Sequence, residues 1–154
     1  MQNIIDKIKR FILDNNLFED QNKLIVAFSG GPDSLFLAVI LKKLKENYFK
    51  NIKIYLAYYN HNLRKDSFIE EKKVEKMAEK LNLPILYGGG NVLEFSNKNH
   101  ISIEMAARKL RYDFLYDVLN KKKGDFIVTA HHLDDLVETI FLHIIRGSGI
   151  NGLI

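Results

Sequence analysis

The sequence predicts a doubly wound, mainly parallel α/β sheet with flanking helices. Three observations lead there. Apolar runs such as "KLIVAF", "IKIYLAYY" and "DFIVTA" alternate with segments of helical length. These runs are continuously apolar rather than alternating, as in strands covered on both faces. The stretches between them are long enough for helical crossovers, which parallel strands require.

The elements follow in order. Ile4, Ile5, Ile8, Phe11 and Ile12 recur at helical spacing, so an amphipathic helix is expected over 3–15. "KLIVAF" (23–28) reads as a buried strand, 34–45 as a helix and "IKIYLAYY" (52–59) as a second strand. Ser67 and Glu70 form the capping box S-F-I-E, opening a helix that runs to about 81. Leu83, Pro84 and "ILY" make a short third strand, stopped by "GGGN". After a polar stretch, Ser102 can cap a helix over 103–120. "DFIVTA" (125–130) is a fourth strand, and a helix over 134–146 ends at "GSG", where Gly147 suits a left-handed C-cap. There is no internal repeat, low-complexity tract or linker, so residues 1–154 are expected to form one domain.

Composition narrows the function classes. The chain contains no Cys, which excludes disulfides, thiolate zinc sites, cysteine-held iron–sulfur clusters and Cys nucleophiles within it. Its longest apolar runs fall far short of the ~20 residues needed to span a membrane. Charges interrupt the apolar pattern of "MQNIIDKIKRFILDN", unlike a secretory signal, so a cytoplasmic location is expected. A net charge of +4 is compatible with an anionic partner without demanding one. Lysine is the default cation; the arginines are Arg10, Arg64, Arg108, Arg111 and Arg146, and such a minority can serve for its forked donor geometry.

The stretch "IVAFSGGPDSLFLAVIL" carries the most chemistry. It reads as strand, glycine turn and helix, the layout of a phosphate-binding loop, yet it lacks the lysine of a Walker loop. In open α/β sheets, ligands sit at the carboxyl ends of strands. Gly30 and Gly31 let the backbone approach an anion, and the free N–H groups of a helix N-terminus beyond Pro32 can hold it. Ser29 and Ser34 add hydroxyls. Asp33 needs a cation between itself and phosphate, which points to Mg²⁺. The plain alternative is a Gly-Gly turn with an Asp or Ser cap. A chance match to S-G-G-x-D-S is about 10⁻⁴ over a chain of this length at average residue usage.

S-G-G-x-D-S after a first strand resembles the PP-loop of ATP pyrophosphatases, with their adenine nucleotide alpha hydrolase-like fold. That resemblance implies a loop that cradles the β- and γ-phosphates as leaving group, which answers the missing lysine. "NHNLRKDSFIEE" (60–71), "ISIEMAARKLRYDFL" (101–115) and "TAHHLDDLVETIFLHIIRGSGINGL" (129–153) resemble further segments of one branch, the tRNA(Ile)-lysidine synthetase family. Asn60 and Asn62 depart from that family's usual loop.

The resemblance implies ATP and Mg²⁺ as cofactors, with Ser29, Gly30, Gly31, Pro32, Asp33, Ser34, Ala57, His61 and Arg64 around the nucleotide. Asp33, Asp134 and Asp135 are the Mg²⁺ candidates. Asp134 shares a helix face with Glu138, although acidic residues at a helix N-terminus are also favoured by its dipole. Asp33, Asp134 and Arg108 are the candidate catalytic residues. Glu104, Arg111 and Arg146 are candidates for substrate or tRNA contact. The alternative for Glu104 and Arg108 is an i,i+4 surface pair. Zinc on His131 and His132 is disfavoured, because adjacent residues of a strand end point apart.

The implied reaction has two steps. The wobble cytidine of a minor isoleucine tRNA is adenylated by ATP, and the amine of free L-lysine then displaces AMP. Rival readings are another PP-loop enzyme, such as a tRNA thiolase or amide-forming synthetase, and a non-catalytic nucleotide-binding module. The chain stops at "RGSGINGLI", directly after the last family-like motif. A catalytic domain truncated at its C-terminal end is therefore expected, able to bind ATP without completing lysine transfer.

Overall fold

A computed structural model describes residues 2–61 and 67–130. The elements are α1 (Gln2–Asp14), β1 (Lys23–Ala27), α2 (Pro32–Asn47), β2 (Lys53–Asn60), α3 (Ser67–Leu81), β3 (Ile85–Gly89), α4 (Val92–Asn99), α5 (Ile103–Lys122) and β4 (Phe126–Val128). The strands form one parallel sheet in the order β3-β2-β1-β4. The expected fold class is therefore observed. The expected helix over 134–146, and the side chain of the capping Ser67, lie outside the described residues.

The pleat divides the core in two. Leu24, Val26, Ile54, Leu56 and Tyr58 point to one face, where they pack with residues of α1, α2 and α3, including Ile5, Ile12, Leu41, Leu44, Val74 and Ala78. Ile25 and Ala57 point to the other, against Leu115 and Val118 of α5. Leu24, Ile25 and Val26 are all fully buried, which is why β1 reads as an unbroken apolar run. Each such side chain contributes roughly 1.5–3 kcal/mol of burial.

Two expectations about strands need correction. "DFIVTA" is not a buried strand over its length: β4 covers only Phe126–Val128, and Phe126 is 42 % exposed. Among the described residues β4 pairs on one side only, with β1. Nor do the glycines stop the third strand. Gly88 and Gly89 continue β3 in register with Tyr59 and Asn60. A Cβ on Gly88 would be driven into the ring of Phe114, so glycine serves there for close packing of α5, not as a breaker.

The polar stretch before α5 holds a helix that periodicity passed over. Asn91 caps α4 by accepting a hydrogen bond from the Glu94 N–H at 3.1 Å. Ser102 caps α5 as its sequence position indicates, accepting from the Met105 N–H at 3.2 Å. At the amino edge of the sheet, the Lys23 N–H donates to Asp125 Oδ2 at 2.7 Å, and the Asp125 N–H donates to the Lys23 carbonyl at 2.9 Å. That reciprocal pair sets β4 beside β1. No helix among the described residues is long and apolar enough to cross a membrane.

Candidate functional site

The site begins where β1 ends. The Phe28 N–H still donates to the Ala57 carbonyl at 2.9 Å, so the ladder runs one residue past β1 and delivers the chain to the loop in a fixed direction. Gly30 then turns with φ +76°, which side chains other than glycine adopt at a cost. A Cβ there would also lie 2.7 Å from Cγ2 of Val74 on α3. Conformation and space together require glycine.

Gly31 is the N-cap of α2 and Pro32 opens its first turn, a position where proline's missing N–H costs nothing. No side chain caps this terminus. The first intrahelical bond runs from the Leu35 N–H to the Gly31 carbonyl, so the N–H groups of Asp33 and Ser34 have no intrahelical acceptor. The capping alternative for Asp33 or Ser34 is thus not what forms. Ser34 is 5 % exposed; its hydroxyl donates to the Gly31 carbonyl at 3.0 Å and lies 3.1 Å from the Ser29 hydroxyl. Ser29 Oγ in turn accepts from the Gly31 N–H at 3.3 Å. Asp33 is exposed beside this ring of bonds.

The structure brings the second and third motifs together at the neighbouring strand end. His61 follows β2, and its ring meets Tyr59 edge-on with centroids 5.1 Å apart. Tyr59 leans on Phe114 of α5 at 5.6 Å. A Cβ on Gly90 would stand 2.6 Å from the Tyr59 hydroxyl. Tyr59, Gly88, Gly90 and Phe114 therefore form a platform that sequence reading missed; the signal available was the glycine run itself. Burial, and then the Asp113 charge, raise the Tyr59 phenol above its ordinary range. Burial, and then the Arg111 charge, hold the His61 imidazole below the usual histidine range.

On α5, Arg108 and Arg111 both stand over the Tyr112 ring, 5.8 and 5.5 Å from its centroid. Arg108 and Glu104 are exposed, and Arg111 is half-buried. Ala57 is a core residue, 3 % exposed and packed in the same cluster as Ile25 and Leu115, with its carbonyl engaged by Phe28. Its side chain therefore belongs to the core beneath the strand end. Arg64, Asp134, Asp135 and Arg146 lie outside the described residues. Among those described, no group of three or more His, Asp or Glu is arranged to hold a metal. Asp33 remains the exposed carboxylate oxygen source at the loop, a donor type that suits Mg²⁺.

A parallel α/β sheet with an uncapped, glycine-turned helix N-terminus at the carboxyl end of an inner strand defines a phosphate-binding domain of the nucleotide-handling class. The chain belongs to the PP-loop domain family, which it matches over residues 1–154.

The chain is 37 % identical over 153 residues to a tRNA(Ile)-lysidine synthase of Petrotoga mobilis, covering 99 % of this chain and 49 % of that protein. It is 39 % identical over 153 residues to the synthase of Thermosipho africanus and 36 % over 154 residues to that of Clostridioides difficile. These matches cover 99 % and 97 % of this chain but 35 % and 32 % of those proteins. The chain thus spans about half to a third of the length of these relatives. Among solved structures, the U34-tRNA thiolase NcsA from Methanococcus maripaludis superposes with a TM-score of 0.74 at 20 % identity, covering 94 % of this chain and 52 % of that one. The NH3-dependent NAD synthetase from Campylobacter jejuni gives 0.65 at 20 % identity, over 88 % and 58 % of the two chains. Both likenesses concern the fold.

Proposed function

We propose that this chain carries the ATP-using part of a tRNA(Ile)-lysidine synthase, which ligates free L-lysine to the wobble cytidine of a minor isoleucine tRNA and releases AMP and pyrophosphate. The observation that carries this reading is the 36–39 % identity to proteins of that name over nearly the whole chain. The loop geometry supports it. The N–H groups of Asp33 and Ser34, the Gly30–Gly31 backbone and the helix dipole offer a cradle for the β- and γ-phosphates of ATP. The Ser29–Ser34 hydroxyl pair fixes the shape of that cradle before any phosphate arrives. Asp33 would hold Mg²⁺ with Asp134 and Asp135, and the ion would neutralise charge on the departing pyrophosphate.

The adenine and ribose are placed against the end of β2, near Ala57 to His61, the strand end next to the loop that takes the phosphates. Arg64 is assigned to the same nucleotide. Arg108 is proposed to balance charge at the reacting phosphorus, and Glu104, Arg111 and Arg146 to engage lysine or tRNA. Catalysis then rests on placement and charge stabilisation. The protein acts in the cytoplasm, where its tRNA substrate is.

The test is transfer of labelled lysine to isoleucine tRNA by the complete protein with ATP. Lysine-bearing tRNA with one AMP per lysine is expected. Sulfur-dependent modification, or ATP binding without pyrophosphate release, overturns the reading in favour of a thiolase or a binding module.

A further inference from the structure

Among the described residues β3 is an edge strand, in the order β3-β2-β1-β4. Its outer edge can be assigned residue by residue. The Leu56 N–H donates to the Pro84 carbonyl at 2.8 Å, and the Gly90 N–H donates to the Asn60 carbonyl at 3.3 Å. A parallel ladder alternates, so the even-numbered residues from Pro84 to Gly90 turn their backbone groups toward β2. Ile85, Tyr87 and Gly89 turn theirs outward. Tyr87 is 40 % exposed, and Pro84 and Gly89 are exposed as well, so this edge meets solvent. A groove of about 480 Å³ runs between it and α3. Ala78, Leu83 and Ile85, buried or half-buried, line its floor, and the exposed Glu75, Glu79 and Tyr87 line its rim.

Charge decides the kind of occupant. Glu75 and Glu79 stand one turn apart on α3, a like-charge pair that an isolated helix disfavours. Among the described residues neither has a Lys or Arg within ion-pair distance; the pairs there use Glu46 and Asp113. Burial, and then the charges of Glu75, Glu71 and Glu79, push the Tyr87 phenol above its ordinary range. Charge on an edge strand keeps other strands away, but Ile85–Gly89 itself carries none. An uncharged edge beside an acidic wall repels RNA. It also repels a second copy, because antiparallel pairing about a two-fold axis would set two such walls side by side on one face. It attracts a cationic strand. The described chain leaves through β4 at the other edge, three strands or roughly 14 Å away, which favours another molecule as the source.

We propose that the outer edge of β3 and the groove beside α3 dock an extended, lysine- or arginine-bearing segment of a partner protein, which adds to the sheet as a further strand. Its backbone pairs with Ile85, Tyr87 and Gly89. One long basic side chain enters the groove, its stem over Ala78 and Leu83 and its cation between Glu75 and Glu79.

The test uses the complete protein and a short peptide of alternating Lys and Val, with a peptide of alternating Glu and Val as control. Amide exchange is followed by NMR. The Lys–Val peptide should slow exchange at Tyr87 and Gly89 at least tenfold, and the control should not. Methylating every second backbone amide of the peptide should abolish binding in one phase and spare it in the other, as strand pairing demands. Glu75→Gln with Glu79→Gln should weaken the peptide at least threefold at an unchanged melting temperature, since both side chains are exposed. The proposal is overturned if these amides stay unprotected, if both methylated peptides bind alike, or if the glutamine variant binds as wild type. Protection by a short RNA overturns it too. Protection that grows with protein concentration alone overturns it in favour of a second copy, and protection before any peptide is added does so in favour of a segment of the same polypeptide. The readout involves neither ATP nor lysine transfer, so it fails or succeeds independently of the function proposed above.

Discussion

The hydroxyls of Ser29 and Ser34 lie 3.1 Å apart across the glycine turn that follows β1, five residues from one another in sequence. One is exposed and the other 5 % exposed, so a single contact ties the rim of the loop to the buried start of α2. Shape and chemistry of the loop are thus coupled through two side chains.

Ser34→Ala removes the donor to the Gly31 carbonyl as well as the partner of Ser29. A stability loss of about 1 kcal/mol is expected. Pyrophosphate release by the complete protein should fall in kcat/KM by more than that loss implies. Wild-type kcat/KM in the variant would show that the hydroxyl ring is dispensable.

Asp33→Ala is expected to leave the melting temperature within error, because the side chain is exposed at the first turn of α2. Turnover of ATP should drop at least tenfold, with the defect eased by raised Mg²⁺ only where binding of the ion is limiting. A large melting shift with unchanged turnover would reverse the assignment.

Gly30→Ala meets two obstacles, a φ of +76° and Val74 at 2.7 Å. Together they should cost about 1–3 kcal/mol, measured by urea unfolding. Adding Val74→Ala removes the collision but not the backbone strain, and it opens space in the core. The double variant should therefore stay below wild type in stability. Full recovery would mean that conformation contributes nothing.

Gly88→Ala should destabilise by a similar margin through the Phe114 ring, and Phe114→Leu should relieve part of it. Additive losses in that double-mutant cycle would show that the two positions do not touch.

His61 sets a pH dependence of stability. Its folded-state affinity for protons is lowered, so the unfolded chain binds the proton more readily. The stabilising contribution is complete above the unfolded value of about 6.5 and is lost as pH falls through the folded-state value. His61→Gln should flatten the slope of unfolding free energy below that pH. An unchanged slope would place the acid sensitivity elsewhere.

Much of this was legible locally. The loop "SGGPDS" could be read because its strand, turn and helix are contiguous, and β1 because its three central residues are all buried. The capping Ser102 was legible for the same reason. Gly88 was misread because a glycine marks either a turn or a close approach, and only the tertiary position of Phe114 decides between them. α4 was passed over because its short apolar pattern is weak, although Asn91 and Glu94 spell its cap. The meeting of Tyr59 with Phe114 joins residues fifty-five positions apart, and no periodicity encodes which face of α5 turns toward β2.

The sheet order has a consequence for how the chain assembles. β1 is an inner strand, yet its partner on one side, β4, begins only at Phe126, and the Lys23–Asp125 exchange that seats it spans 102 positions. At about 5–20 residues per second, a ribosome needs roughly 5–20 s to make the intervening hundred residues. During that interval the most buried strand of the protein has one open hydrogen-bonding edge, bounded by Leu24, Ile25 and Val26, the composition that recruits foreign strands. Slow translation ahead of β4 therefore lengthens the exposure of a sticky nascent edge, and holdase chaperones have a defined target in residues 23–27.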